Sequence, residues 1–465
     1  MIALPATLLK IFLSTTLLTA LIPLILFRHK HFLRIILLSS VIACFIESLN
    51  IAYFYIYSGR ASWKLVSLGT IGIEFSLEPL GIILINLVTG IWAIFALYFN
   101  STNNPPNIRL LTLLGLTIFA SIFVALSRNL FSMFIGYEML SVAAIMLTQK
   151  RYAYMSFGAG IFLIFILFIY IFSGTADFIL DGILPHNTPL FFTHLLLLAA
   201  ISGIAKTIIF VANNLLKQDV NSYTIEQIFQ AIVILNIGLY SMLKIIIYIF
   251  GIRNLAQILS GFNWPLLLSA LLLLYASYKA IISEIIKHIL VYSILAGLFL
   301  ILMSIFALTP KSIMAGISHM IAHSFTQITL FFVFLRFYRG EGVIKLEELR
   351  GLGYKFPFAS LFFIISSLSL LGIPPFAASS STEFIWEALS TNHYSYILKH
   401  ILVLSIIAMI YYIARFAYFL FENLVTYSKK EEISALDIVT GISAISIVTF
   451  PIVEKFLNGI LWSIL

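Results

Sequence analysis

The chain alternates between long apolar stretches and short polar ones. About fourteen of the apolar stretches reach the ~20 residues that a helix needs to cross a hydrocarbon core of about 30 Å. They centre near Thr16, Ile42, Asn86, Leu116, Glu138, Ile164, Ala200, Gly238, Leu272, Leu298, His323, Ile365, Ile407 and Ile447. Inside lipid a backbone must satisfy its own hydrogen bonds, and a helix does so within one segment. The runs are too long and unbroken for the ~10-residue alternation of a transmembrane barrel. The expectation is an all-α, polytopic membrane protein. In the twelfth stretch, SLSLLGIPPFAASSST, Pro374 and Pro375 predict a broken helix, a feature common at ion sites in membranes.

Composition agrees. The chain is 61% hydrophobic and 10% charged, against about 45–50% and about 25% in a soluble domain. The net charge of +8 does not indicate nucleic-acid binding, because Lys and Arg sit at helix ends and in loops, where they set topology. RHKHFLR (Arg28, Lys30, Arg34) after the first stretch puts the first loop in the cytoplasm and the N-terminus outside. Arg109, Lys150, Arg151, Lys217, Lys287, the group Arg336 to Lys355, Lys429 and Lys430 follow that pattern, whereas Arg60, Lys64 and Arg128 oppose it. With this count both termini face outside, in a bacterial inner membrane or an organellar one. The polar loop from Phe337 to Lys355 reads as a solvated connector with a short surface helix at KLEEL. The single cysteine, Cys44, reads as a small core residue. No nucleotide-binding motif and no zinc, haem or iron–sulfur ligand set stands in the sequence, so no cofactor or metal is expected.

Charges within the spans are the candidate chemistry. Asp, Lys or Arg at a helix centre costs roughly 2.5–3.5 kcal/mol on insertion scales and usually faces a partner or an ion route. Glu138, in MFIGYEMLSVAAIML, is the deepest carboxylate, and Lys206, in ISGIAKTIIF, the deepest lysine. If the two meet, both costs fall. Burial disfavours the charged form of each and the opposite charge restores it. A pair so balanced switches protonation when one partner moves, which is what proton translocation needs; a static ion pair is the alternative. His319 and His323, in SHMIAHSF, share one helix face and suit a proton relay or a structural hydrogen-bonded pair. Without a third ligand they make a poor metal site. Glu383, after the helix break, is either a further site or an interfacial acid. Lys244 lies near enough to a helix end to snorkel, and Glu74 and Glu78 read as interfacial.

Several stretches together resemble a known family. They are FSLEPLGIILINLVTGIWAIFALY, FIGYEMLSVAAIML, GIAKTIIF, IGLYSMLKIIIYIFG, SHMIAHSFTQITLFF and SLSLLGIPPFAASSSTEF, from about Phe75 to about Leu389. In order and spacing they resemble the antiporter-like membrane subunits shared by Mrp-type monovalent cation/proton antiporters and respiratory complex I, with Mrp D subunits the nearer likeness. The resemblance implies fourteen helices: three in 1–107, inverted five-helix repeats in 108–250 and 251–422, and a last helix in 423–465. It implies a half-channel in each repeat, charged residues along the midplane, and assembly with other membrane subunits. Glu138 and Lys206 match the family's glutamate–lysine pair, and His319 and His323 match two histidines of the eleventh span. Asn236, Gln327 and Thr382 stand where the family usually has ionisable residues; Glu383 matches a glutamate of some complex I subunits. The implied function is proton movement within a cation/proton antiporter, with sodium handled by a partner. A proton-translocating complex I subunit, or a diverged structural subunit with an incomplete path, is the alternative.

Overall fold

The computed structural model describes residues 3–59, 61–68, 71–101, 107–148, 153–217, 224–390, 392, 394–422 and 432–461. The chain is all-α and polytopic. Its helices are α1 (Ala3–Ile25), α2 (Lys30–Ser58), α3 (Pro79–Ser101), α4 (Ile108–Leu126), α5 (Leu130–Thr148), α6 (Ala153–Ser173), α7 (Leu190–Lys217), α8 (Ile225–Ile245), α9 (Ile252–Ile258), α10 (Trp264–Ile282), α11 (Ile286–Phe306), α12 (Pro310–Glu341), α13 (Leu352–Lys355), α14 (Pro357–Leu370), α15 (Ala378–Ser390), α16 (Ser395–Leu420) and α17 (Ala435–Leu461). Thirteen of the described helices are long and apolar enough to cross a membrane.

The remaining expected span is broken. α14 has 14 residues and α15 has 13, so each reaches only about 20 Å at 1.5 Å per residue. Residues 371–377 between them contain Gly372 at φ +71°, Pro374 and Pro375. The ending of α14 is closed by Leu371 N–H to Ser367 O and Gly372 N–H to Ser369 O.

Two features depart from the expected pattern. A β-hairpin precedes α3, pairing β1 (Ser62–Leu68) with β2 (Ile71–Ser76) in antiparallel register. Lys64 faces Glu74 across it, 2.8 Å apart. The KLEEL surface helix is a single 3-10 turn, Leu346–Leu349. Of the basic residues used for topology, Arg60, Lys150, Arg151, Lys429 and Lys430 lie outside the described residues.

The chain divides into two compact units. The first holds Met1–Val211 and Val233–Ile258. Its centre is the second half of α8, which is completely buried and ends in a π-helical turn, Ile246–Phe250. α6 is peripheral and shows Phe157, Ile164, Leu167 and Ile171 outward, as expected where lipid is the solvent.

The second unit holds Ala212–Ile232 and Leu259–Ser463. Its centre is α12, opened by Pro310 and a reciprocal Thr309–Ser312 capping box and closed by Gly342 in the left-handed conformation. Small polar side chains tie α12 to its neighbours: Thr326 to Ser369 of α14 at 2.8 Å, and Thr329 to Ser443 of α17 at 2.9 Å. Such hydroxyl contacts hold helices together where lipid removes the hydrophobic drive.

Candidate functional site

The first unit brings Glu138 of α5 and Lys206 of α7 together. Lys206 Nζ donates to Glu138 Oε1. The lysine side chain is 2% exposed and the carboxylate 29%, so the cation is enclosed and the acid faces outward. Gly158 of α6 makes room for the lysine stem: a Cβ there would stand 2.8 Å from Lys206 Cβ. Tyr137, beside Glu138, is anchored on α7 by donating to Ile204 O at 2.7 Å and by a contact with Thr207. Its hydroxyl also adjoins α8, where a Cβ on Gly238 would lie 3.7 Å away.

A second buried pair lies in the same unit. Lys244 of α8 is completely buried, with Nζ 3.3 Å from Glu78 Oε2. The ammonium donates to Ser127 O and lies 3.5 Å from Ala125 O. These are carbonyls at the C-terminus of α4, where the helix dipole favours a cation. Phe178 covers it, 4.5 Å from ring centroid to Nζ. Glu78 Oε1 accepts from Ser76 at 2.9 Å. Two sequence expectations are corrected here. Lys244 does not snorkel outward, and Glu78, directly before α3, is buried rather than exposed; each is enclosed because the other neutralises it.

The second unit contains the histidines. His319 and His323 stack with ring centroids 5.9 Å apart. His319 Nδ1 is 3.0 Å from Ser381 Oγ, across the broken helix. His323 Nε2 is 3.1 Å from Gln327 Nε2, which donates to Ser293, and Ser293 is 3.1 Å from Tyr412 Oη. Gly297 lets the ring lie against α11, since a Cβ there would be 2.0 Å from His323 Nε2. Both rings border a cavity of about 40 Å³ with Thr382, Ser293 and Tyr412, enough for a water molecule.

Of the sequence candidates, Glu138 and Lys206 meet, and His319 and His323 line one cavity. Glu383 does not join them; it is exposed on α15, and Thr382 beside it lines the cavity. Asn236 and Gln327 are buried. The Glu78–Lys244 pair was missed because a lysine near a helix end and an acid before a helix start both look interfacial; Lys244 at one residue beyond YSML was its only signal. Glu47, which accepts from Thr15 at 2.6 Å within α2, was also missed.

Thirteen described helices of membrane length, with ionisable residues paired among them, define a multi-pass membrane protein. Residues 127–410 match the family described as NADH:quinone oxidoreductase/Mrp antiporter, transmembrane. The chain belongs to this family. NADH-quinone oxidoreductase subunit M of Rickettsia prowazekii is 29% identical over 245 residues, 52% of this chain and 48% of that protein. NAD(P)H-quinone oxidoreductase subunit 2 of Prochlorococcus marinus (strain AS9601) is 26% identical over 306 residues, 62% of this chain and 59% of that one. The chain thus spans about half the length of the curated relatives it matches, 48% and 47% for the subunit M proteins of Rickettsia prowazekii and Rickettsia typhi. The fold resembles a chain of the membrane-bound sulfane sulfur reductase, an archaeal respiratory membrane complex, with a TM-score of 0.81 at 17% identity over 98% of this chain and 96% of that one. It also resembles a chain of the Mrp complex from Dietzia sp. DQ12-45-1b, with a TM-score of 0.78 at 16% identity over 97% of this chain and 51% of that one.

Proposed function

We propose that the chain is a proton-translocating membrane subunit of a monovalent cation/proton antiporter, working beside other membrane subunits. The observation that carries this reading is Lys206, 2% exposed and held by a carboxylate that reaches the outside of its unit. An enclosed ammonium depends on its counter-charge. When Glu138 takes a proton, that attraction is lost, and Lys206 is driven to release its own proton inward or to find another acceptor. Tyr137 links α5 to α7 and adjoins α8, the helix that carries Lys244 and hence the Glu78–Lys244 pair. In the second unit His323, Gln327, Ser293 and Tyr412 supply a hydrogen-bonded row beside a water-sized cavity, and His319 stacks on His323 at one end of it. Sodium is assigned to a partner, because this chain offers few acidic oxygens. The repeats are assigned to 108–250 and 251–422. The membrane is a cell membrane, with both termini outside.

Proton flux in proteoliposomes holding the native complex tests the reading. Glu138→Gln and Lys206→Ala should each lower flux at least about a hundredfold, the lower range for loss of a positioned proton-transfer group. Flux equal to wild type in both variants refutes the role of the pair. The relatives' names favour a second reading, a subunit of an NADH-quinone oxidoreductase; the same residues would then move protons driven by electron transfer elsewhere.

A further inference from the structure

Glu454 lies near the end of the apolar segment of α17, 3% exposed. No sequence motif points to it, and the path described above does not use it. Its Oε2 accepts the Ser380 hydroxyl of α15. Its Oε1 is buried and takes no hydrogen bond. Ser318 of α12 stands beside this carboxyl, and its buried Oγ has no other polar partner.

Among the described residues, the surrounding elements bring no cation to it. α12 presents His319, engaged with Ser381. α14 carries no titratable side chain. On α15, Glu383 is exposed and Glu387 is paired with Lys311. On α17 itself Lys455 is exposed, and Asp437 is paired with Arg336. An ionised carboxylate enclosed without a counter-charge is strongly disfavoured. A proton on Oε1 removes that charge: its O–H donates to Ser318 Oγ while Ser380 donates to Oε2.

We infer that Glu454 is a proton-binding site, a neutral carboxylic acid in this conformation, that exchanges its proton with His319. The two sites share their supports. Ser318 and His319 are consecutive on α12, and Ser380 and Ser381 are consecutive on α15. When the proton leaves Oε1, the Ser318 hydroxyl rotates from acceptor to donor, so that both serines donate to the carboxylate. The departing proton passes to a His319 ring nitrogen, leaving an imidazolium. The exchange rests on the proton-translocation reading; the neutral acid does not.

Infrared difference spectroscopy on the native complex reads the carboxylic-acid C=O stretch directly. The expected result is a deuterium-sensitive band at neutral pH, absent in Glu454→Gln and shifted in Ser318→Ala. No difference between wild type and Glu454→Gln means an ionised Glu454 and overturns the site. Gln mimics the neutral acid, so failure of that variant to assemble, with Glu454→Asp assembling, also counts against it. In vesicles Glu454→Gln should lower proton flux at least about a hundredfold, with partial return in Glu454→Asp. Flux equal to wild type overturns the exchange with His319. A band at Glu454 in a wild-type complex that carries no flux leaves the neutral acid standing and refutes transport.

Discussion

Lys244 exposes none of its side chain, so its charge rests on Glu78, the α4 carbonyls and the Phe178 ring rather than on water. Breaking such a pair from one side costs about 3–5 kcal/mol, because the surviving charge stays buried and uncompensated. Lys244→Met should therefore lower the thermal midpoint of the detergent-solubilised protein strongly. Adding Glu78→Gln should recover most of the loss. A double variant no better than the single one means that Lys244 is held by packing rather than charge. Outside the spans, Asp177 shows the opposite effect. Burial is the largest influence on its carboxyl and raises its pKa above the ordinary value; Arg128 lowers it and Glu74 raises it. A folded-state pKa above the unfolded one means that the folded loop binds more protons, so this contribution to stability falls as pH rises through the window between them. Hydrogen exchange in residues 174–184, corrected for its intrinsic pH dependence, should slow as pH drops into the carboxylate range. Asp177→Asn should abolish that trend, and a trend that persists in the variant assigns it to another group.

Helix packing here is decided by where glycine allows a functional side chain to lie against a neighbour. The Gly297–His323 contact of α11 with α12 is the clearest case, because any Cβ on Gly297 overlaps the ring. Gly297→Ala should displace His323 from Gln327 and reduce proton flux, while Glu138 and Lys206 stay paired. Wild-type flux in that variant would remove His323 from the path. The helices themselves were legible: fourteen stretches were expected, and thirteen unbroken spans with one broken pair account for them. The Pro374–Pro375 break was legible too, since proline removes a donor that a helix interior needs. The β1–β2 hairpin was not. Its strands are only seven and six residues long, and the first breaks alternation at Leu65–Val66, where the register shifts.

At the scale of the whole molecule, the composition of the native assembly separates the two functional readings. Mild-detergent purification followed by mass spectrometry should recover small multi-span subunits with this chain if it serves a cation/proton antiporter. Recovery of flavin and iron–sulfur subunits instead would place it in a respiratory complex. What the sequence alone determined was the membrane class, the spans, the helix break and the candidates Glu138, Lys206, His319 and His323. Lipid imposes those locally: each span must satisfy its own backbone bonds, and a charge near the centre of a span, such as Glu138 or Lys206, stands out against an apolar background. Tertiary structure alone decided that Lys206 meets Glu138, that Lys244 docks on Glu78 and the end of α4, that Glu383 stays outside the histidine cavity, and that Glu454 is enclosed by two serines. The physical reason is that a charge's partner and burial depend on which helices become neighbours, and hydropathy along a chain carries no record of that.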